Sequence, residues 1–326
     1  MTAHWRIGTR GSALALWQAT TVKSLLEAAG VAPCEIVVIK TDGDRLQDAP
    51  LSAIGGKRLF VKEIEDALLQ GEVDLAVHSA KDMAVLMPVG LHIAGVLPRA
   101  DPRDAVVLPA GRAVPPDAGI AALSAVIGDT PALGTSSVRR VAQLHRLFPH
   151  AQFLPVRGNV DTRLRKLDAG EYDALILAAA GLYRLDRAGR ISASLPVDAC
   201  VPAPGQGIVA IECRDDSEEI TQTLVAISDR AADIALRAER ALVEALGGGC
   251  QLPLGGHCRA TSDGALELLA CVTSIESEHE VRALGFGDPS DPEALGHEVA
   301  ERLIADGAGA ILEAVREYDG PLPDQE

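Results

Sequence analysis

The chain has 326 residues, enough for two or three domains, and its 48% hydrophobic and 23% charged residues are ordinary for a globular protein. Aromatics at 3% leave few stacking surfaces for single-stranded nucleic acid, and a net charge of −16 disfavours nucleic acid of any kind. The charge is uneven: residues 214–326 carry 24 acids against 8 Lys and Arg, whereas 131–170 hold 7 Lys and Arg against 2 acids, a basic island suited to a small polyanion.

Taken in order, the chain opens with a strand at Trp5–Thr9, with no leader-like stretch before it. No apolar run is long enough to cross a bilayer. A cytoplasmic location with no membrane partner is expected. Arg10-Gly11-Ser12 then leads into an amphipathic helix at Ala13–Ala29, with Ser12 as its N-cap. Such a strand-to-helix turn offers free N–H groups to an anion. Glu35–Lys40 reads as a second strand, and Thr41–Lys57 as a polar loop long enough to be mobile or functional. A helix at Val61–Gln70 and a strand at Val73–Val77 follow. The next turn, His78-Ser79-Ala80-Lys81-Asp82-Met83, sits at the carboxyl end of a parallel strand, where open α/β sheets bind ligands.

Strand Leu91–Leu97 ends in Pro98–Asp104, a Pro-punctuated crossing that reads as an interdomain hinge. The connection 109–131 has room for one short element. A second α/β unit begins near Pro131. Its turn Gly134-Thr135-Ser136-Ser137 opens a helix carrying Arg139 and Arg140, which runs to about Leu147. Strand Gln152–Val156 leads to Arg157-Gly158-Asn159 and a helix bearing Arg163, which ends near Gly170. Strand Ala174–Leu177 leads to Ala180–Arg184. Val201–Gly207 is a second crossing, and Ile208–Cys213 a strand able to rejoin the first sheet. Helices near 217–227 and 231–246 then reach Gly247-Gly248-Gly249-Cys250, and 257–319 reads as strands near 265–273 and 278–285 with helices near 292–306 and 307–318. The fold expected is α/β, two doubly wound domains joined by a hinge, plus a small α+β C-terminal domain. The boundaries expected are 1–103 with 201–219, then 104–200, then 220–326.

Three of these turns present arginines, and parallel strand ends converge on one edge, so several guanidiniums would face one cleft. Arg grips carboxylates in a bidentate way, which suits a ligand carrying many of them. Each arginine taken alone has the ordinary alternative of a surface ion pair. Asp82 is the odd acid among these bases, either a salt-bridge partner or a group that moves a proton and steadies a cation. His78 reads as a core histidine. Cys250, on its glycine tether, is either a small hydrophobe in a turn or a thiol presented for covalent work. Cys34, Cys200, Cys213, Cys250, Cys258 and Cys271 show no C-x-x-C pair and no zinc spacing, so neither a disulfide framework nor a metal site is expected.

The ordered set Gly8-Thr9-Arg10-Gly11-Ser12, Gly55-Gly56-Lys57, Val77-His78-Ser79-Ala80-Lys81-Asp82, Gly134 to Arg140, Arg157 to Arg163, Pro204-Gly205-Gln206-Gly207 and Gly248-Gly249-Cys250 resembles the porphobilinogen deaminase (hydroxymethylbilane synthase) family over the whole chain. The resemblance implies that the first two domains form a periplasmic-binding-protein-like pair and that the third carries the cysteine. It implies a dipyrromethane cofactor joined to Cys250 by a thioether. Four porphobilinogen molecules would be condensed head to tail with loss of ammonia, by a monomeric enzyme needing no metal. It assigns Asp82 to catalysis, and cofactor and substrate binding to Arg10, Ser12, Lys57, Ser79, Lys81, Thr135, Ser137, Arg139, Arg140, Arg157, Gly158, Arg163, Arg184 and Gln206. Gly247, Arg58 and Ala84 depart from the family's commoner Glu, Gly and Pro. Two other readings compete: a hinged anion-binding protein without catalysis, and a cysteine-nucleophile enzyme with His257 as its base.

Overall fold

The structure, a computed structural model, describes residues 4–30, 33–41, 61–114, 120–248 and 252–317. The chain builds β1 (Trp5–Thr9), α1 (Ala13–Ala28), β2 (Cys34–Val38), α2 (Lys62–Leu69), β3 (Leu75–Ser79) and β4 (Leu91–Val96). It then crosses to β5 (Asp104–Val107), α3 (Ile120–Ile127), β6 (Ala132–Gly134), α4 (Val138–Leu144), β7 (Gln152–Leu154), α5 (Val160–Asp168), β8 (Ala174–Ala178), α6 (Ala179–Arg184) and β9 (Ala193–Ser194). It crosses back at β10 (Val209–Arg214) and continues through α7 (Glu218–Leu224) and α8 (Arg230–Ala245). The last part holds β11 (Leu254–Ala260), β12 (Leu266–Thr273), β13 (Glu280–Gly287), α9 (Pro292–Ala305) and α10 (Ala308–Glu317).

Two five-stranded sheets result, ordered β2-β1-β3-β10-β4 and β7-β6-β8-β5-β9. Each keeps a parallel trio and takes one antiparallel strand from a crossing: β10 beside β3 in the first, β5 beside β8 in the second. Helices cover both faces, which is why β3, β5 and β8 are almost wholly buried and, apart from His78, Ser79 and Asp104, are built of Ala, Val, Ile and Leu. The third sheet is the antiparallel β11-β12-β13. Its core is closed by α8, α9 and α10 through Ala238, Leu242, Leu295, Val299 and Leu312. Among the described residues no helix is long and apolar enough to cross a membrane.

Three strands escape the sequence reading. Asp104–Val107, of which only Asp104 was assigned, as the end of the hinge, is β5, an interior strand of the second sheet. A four-residue strand opening on an acid just after Pro102 gives too short a pattern to separate from a loop. Ala193–Ser194 is too brief for any pattern. Leu254–Ala260 is β11, although its paired glycines suggest a loop. Those glycines mark close approach instead: a Cβ on Gly255 would lie 2.7 Å from the Val201 carbonyl oxygen, and one on Gly256 would lie 2.9 Å from Leu242.

The crossings and the third sheet meet at Glu239 of α8, a fully buried carboxylate. It receives Arg99 Nη1 (2.6 Å) from the first crossing, Gly205 N (2.6 Å) from the second and Cys258 N (2.7 Å) from β11. Arg99 also donates from Nε to the Gln206 carbonyl (2.9 Å). The hinge strands are thus held against α8 by charge-assisted hydrogen bonds.

Candidate active site

The cleft is built from strand ends, as doubly wound sheets dictate. β1 ends at Thr9, and Ser12 caps α1 by accepting from Ala15 N (3.3 Å). β3 ends at Ser79, and Ala80–Asp82 makes a single 3-10 turn, pinned by Ala80 N to Ile208 O (3.0 Å) and Met83 N to Ala80 O (3.2 Å). These two turns share one pocket, lined by Arg10, Ser12, Gln18, His78, Ser79 and Asp82 among others. Asp82 is exposed there and makes no hydrogen bond or ion pair among the described residues. Ser79 Oγ accepts from Gln18 Nε2 (2.9 Å). His78 is buried and pairs with the buried Glu212 (2.9 Å), as a core histidine would.

The second lobe faces this pocket with its own turns. Thr135 is buried, and its hydroxyl accepts from Ser137 N (3.2 Å), while Ser137 caps α4 at Arg140 N (3.4 Å). Arg139 and Arg140 are almost fully buried and converge on Asp104 at the start of β5. Arg139 Nη2 reaches Oδ2 at 2.7 Å, and Arg140 reaches Oδ1 from Nε at 3.0 Å and from Nη2 at 2.8 Å. Both arginines also donate to backbone, Arg139 Nη1 to Val201 O (2.7 Å) and Arg140 Nη1 to Ile176 O (2.9 Å). Gln206 completes the hub. It donates to Asp104 (2.9 Å) and Pro102 O (2.7 Å) and accepts from Lys81 Nζ (3.2 Å).

Arg157 and Arg163 differ from that pair. Among the described residues Arg157 makes no hydrogen bond or ion pair, and Arg163 spends only Nε, on Gly158 O (2.8 Å). Both guanidiniums keep terminal N–H groups for a ligand. Arg184 is buried, donates to Gly207 O (2.7 Å) and stacks over Trp17 at 5.5 Å, so its contacts bridge α6 to the first lobe. Lys57 and Cys250 lie outside the described residues, as does Arg58.

Electrostatics joins these groups into one set. Although Lys81 keeps part of its surface in solvent, its ammonium end is enclosed. Burial pushes its pKa down to about 8, with Asp82 opposing and Arg140 adding to the fall. Burial likewise pushes Arg163 down to about 10, helped by Arg140 and Arg157 and opposed by Asp82. Burial alone takes Arg184 to about 10. Burial works against the Asp104 carboxylate, but Arg139 and Arg140 outweigh it and hold its pKa far below the usual range. Burial, then Asp104, pushes the Cys200 thiol up to about 12, so it is inert. His257 is driven down to about 4 by burial and stays neutral. No cluster of metal-ligating side chains occurs among the described residues.

Asp104, Gln18 and Glu239 escape the sequence reading. Asp104 had one usable signal: an acid opening an otherwise apolar strand must be paired if it is buried, and the nearby Arg139-Arg140 supplies that pair.

Residues 5–222 match the family described as porphobilinogen deaminase, dipyromethane cofactor binding domain. Residues 234–305 match the porphobilinogen deaminase C-terminal domain. A curated porphobilinogen deaminase from Syntrophobacter fumaroxidans is 45% identical over 311 residues, covering 95% of this chain and 97% of that protein. One from Geobacter metallireducens is 46% identical over 328 residues, covering 97% and 98%. Among solved structures, the second substrate binding domain of a putative amino acid ABC transporter from Streptococcus pneumoniae aligns at TM-score 0.43 and 11% identity, covering 69% of this chain and 92% of that one. That likeness is too slight to bear on the fold.

Proposed function

The chain belongs to the porphobilinogen deaminase family, and from that premise we propose how its cleft carries the reaction. The enzyme is a transferase (EC 2.5.1.61) that condenses four porphobilinogen molecules into the linear tetrapyrrole hydroxymethylbilane, releasing ammonia, in tetrapyrrole biosynthesis. It uses a dipyrromethane cofactor. When bound, that group supplies the pyrrole terminus that accepts the first incoming ring.

The donor set fits such a group. Its acetate and propionate carboxylates need cations with unspent N–H groups, and Arg157 and Arg163 have them, within electrostatic range of each other and, for Arg163, of Asp82. In our reading Arg157, Arg163, Arg10 and Lys81 bind carboxylates directly, with Lys57 as a further cation outside the described residues. Arg139, Arg140 and Gln206 form a charged wall whose position Asp104 sets. Ser12, Ser79, Thr135, Ser137 and Gly158 shape the turns, Arg184 braces the lobes, and Cys250 is the attachment point. Asp82 gives a proton to the leaving amine of porphobilinogen and faces the positive charge that develops as ammonia departs. Burial works against the Lys81 charge, and Asp82 beside it supports that charge.

The single observation carrying this reading is that the exposed Asp82 shares one pocket with Arg10 and Ser12, within electrostatic range of Lys81 and Arg163. The three sheets support domain limits of 1–103 with 201–219, 104–200 and 220–326. We extend the proposal to a cytoplasmic monomer whose partner is porphobilinogen. A non-catalytic anion binder shares the two lobes but not the family.

Arg163→Met tests the direct clamp. Losing a charge-assisted hydrogen bond to a carboxylate should lower kcat/KM for porphobilinogen by roughly ten- to a hundredfold. Intact mass should show partly elongated enzyme accumulating. Wild-type kinetics with no accumulated species would remove Arg163 from the clamp.

A further inference from the structure

We propose that Arg240 is a positioning residue that fixes the Asp82 turn against the helix leading to Cys250. The inference rests on Asp82 and Cys250 having the roles given above. Ala232, Leu236 and Arg240 recur at four-residue spacing on α8, so they share one helix face. Ala232 and Leu236 pack in one apolar cluster with Ala80 and Met83, the residues on either side of Lys81-Asp82. Next along the stripe, the Arg240 guanidinium forks onto consecutive carbonyls, Nη1 to Ala84 O (3.0 Å) and Nη2 to Val85 O (2.6 Å).

Val85 itself packs on the third-domain core. At the far end of α8, Gly247 N donates to Glu244 O (2.9 Å) and Gly248 N to Val243 O (2.8 Å), with both glycines at positive φ. A Cβ on Gly248 would lie 3.7 Å from Val85 Cβ, so the end of the helix rests against the segment that Arg240 holds. Arg316 secures the same helix end by donating to Leu246 O (2.7 Å), filling the space beside Gly247. Val85 follows Asp82 by three residues and Cys250 follows Gly248 by two. One side chain therefore sets the span between the acid and the start of the cysteine tether.

The apolar part of the stripe keeps the turn attached without Arg240, but it does not fix the carbonyls. A planar fork holds two acceptors in a set geometry, and a lysine ammonium does not. Small displacements of a reacting group cost large factors in rate. The loss should therefore fall on turnover more than on stability or substrate affinity.

The test compares Arg240→Met and Arg240→Lys with Arg237→Met, which removes a surface pair with Glu293 (2.6 Å) from the same helix. Two readouts are taken on holoenzyme: amide hydrogen exchange of the 80–90 segment, and kcat per cofactor-loaded chain. Arg240→Met should raise exchange there and lower kcat roughly tenfold, with KM within about twofold. Arg240→Lys should recover part of both, and Arg237→Met should change neither. Wild-type exchange or wild-type kcat per loaded chain in Arg240→Met would overturn the proposal, as would equal changes in Arg237→Met. Asp82→Asn, run alongside, separates the underlying reading: if it keeps full turnover, that reading fails, whatever exchange in Arg240→Met shows.

Discussion

Asp82→Asn should lower turnover per cofactor-loaded chain by about two to four orders of magnitude while leaving the fold intact, the usual worth of a positioned acid or base. The structural half of this expectation follows from what Asp82 does not hold. Its carboxylate is exposed and makes no hydrogen bond or ion pair among the described residues. The turn around it is held by other groups: the Ala80 and Met83 backbone bonds, Met83 packing and the Arg240 fork. An amide of the same shape can neither give up a proton to the departing amine nor offset positive charge as it forms. The thermal midpoint should therefore stay within a few degrees, while single-turnover ammonia release slows with KM little changed. Near-native release would take Asp82 out of the chemistry. Equal losses of folded protein and of activity would make its role structural.

Asp104→Ala should cost about 3–5 kcal/mol, because it leaves Arg139 and Arg140 buried without their shared counter-ion. That is a large fraction of the stability of a domain. Gln206 also loses one of its two acceptors and keeps only Pro102 O, so Lys81, which donates to Gln206, is left less well placed. The pH dependence has a definite sign. The folded-state pKa of Asp104 is depressed, so its stabilisation is fully present above the ordinary carboxylate range and is lost as pH falls through and below that range. Urea midpoints followed downward from neutral pH should fall steeply for the native chain. For Asp104→Asn they should start lower and fall less. Parallel curves for the two proteins would show that Asp104 is not a main source of the acid sensitivity.

The turns of the candidate site were legible because they sit where sequence patterns are sharpest. Ser12 and Ser137 announce helix starts, and Ser79-Ala80-Lys81-Asp82 follows an apolar strand, so the turns could be placed before their partners were known. The partners were less accessible. Arg139 and Arg140 look identical in type to Arg157 and Arg163, yet the first pair is consumed by Asp104 and the second is not. That difference depends on which strand β5 lies beside, a long-range pairing that local periodicity does not carry. β11 was hidden for a related reason: its glycines serve Val201 and Leu242, residues distant in sequence. The roles proposed for Asp82 and Cys250 come from the family resemblance. The residues that hold the two crossings, Asp104 and Glu239, became visible only with the fold.

The most direct measurement is the intact mass of the purified active enzyme, followed by peptide mapping. The account predicts an increment of two linked pyrrole units, located on the peptide containing Cys250 and absent from Cys250→Ala, which makes no tetrapyrrole. An active enzyme at its bare sequence mass, or the increment found on another residue, would contradict it.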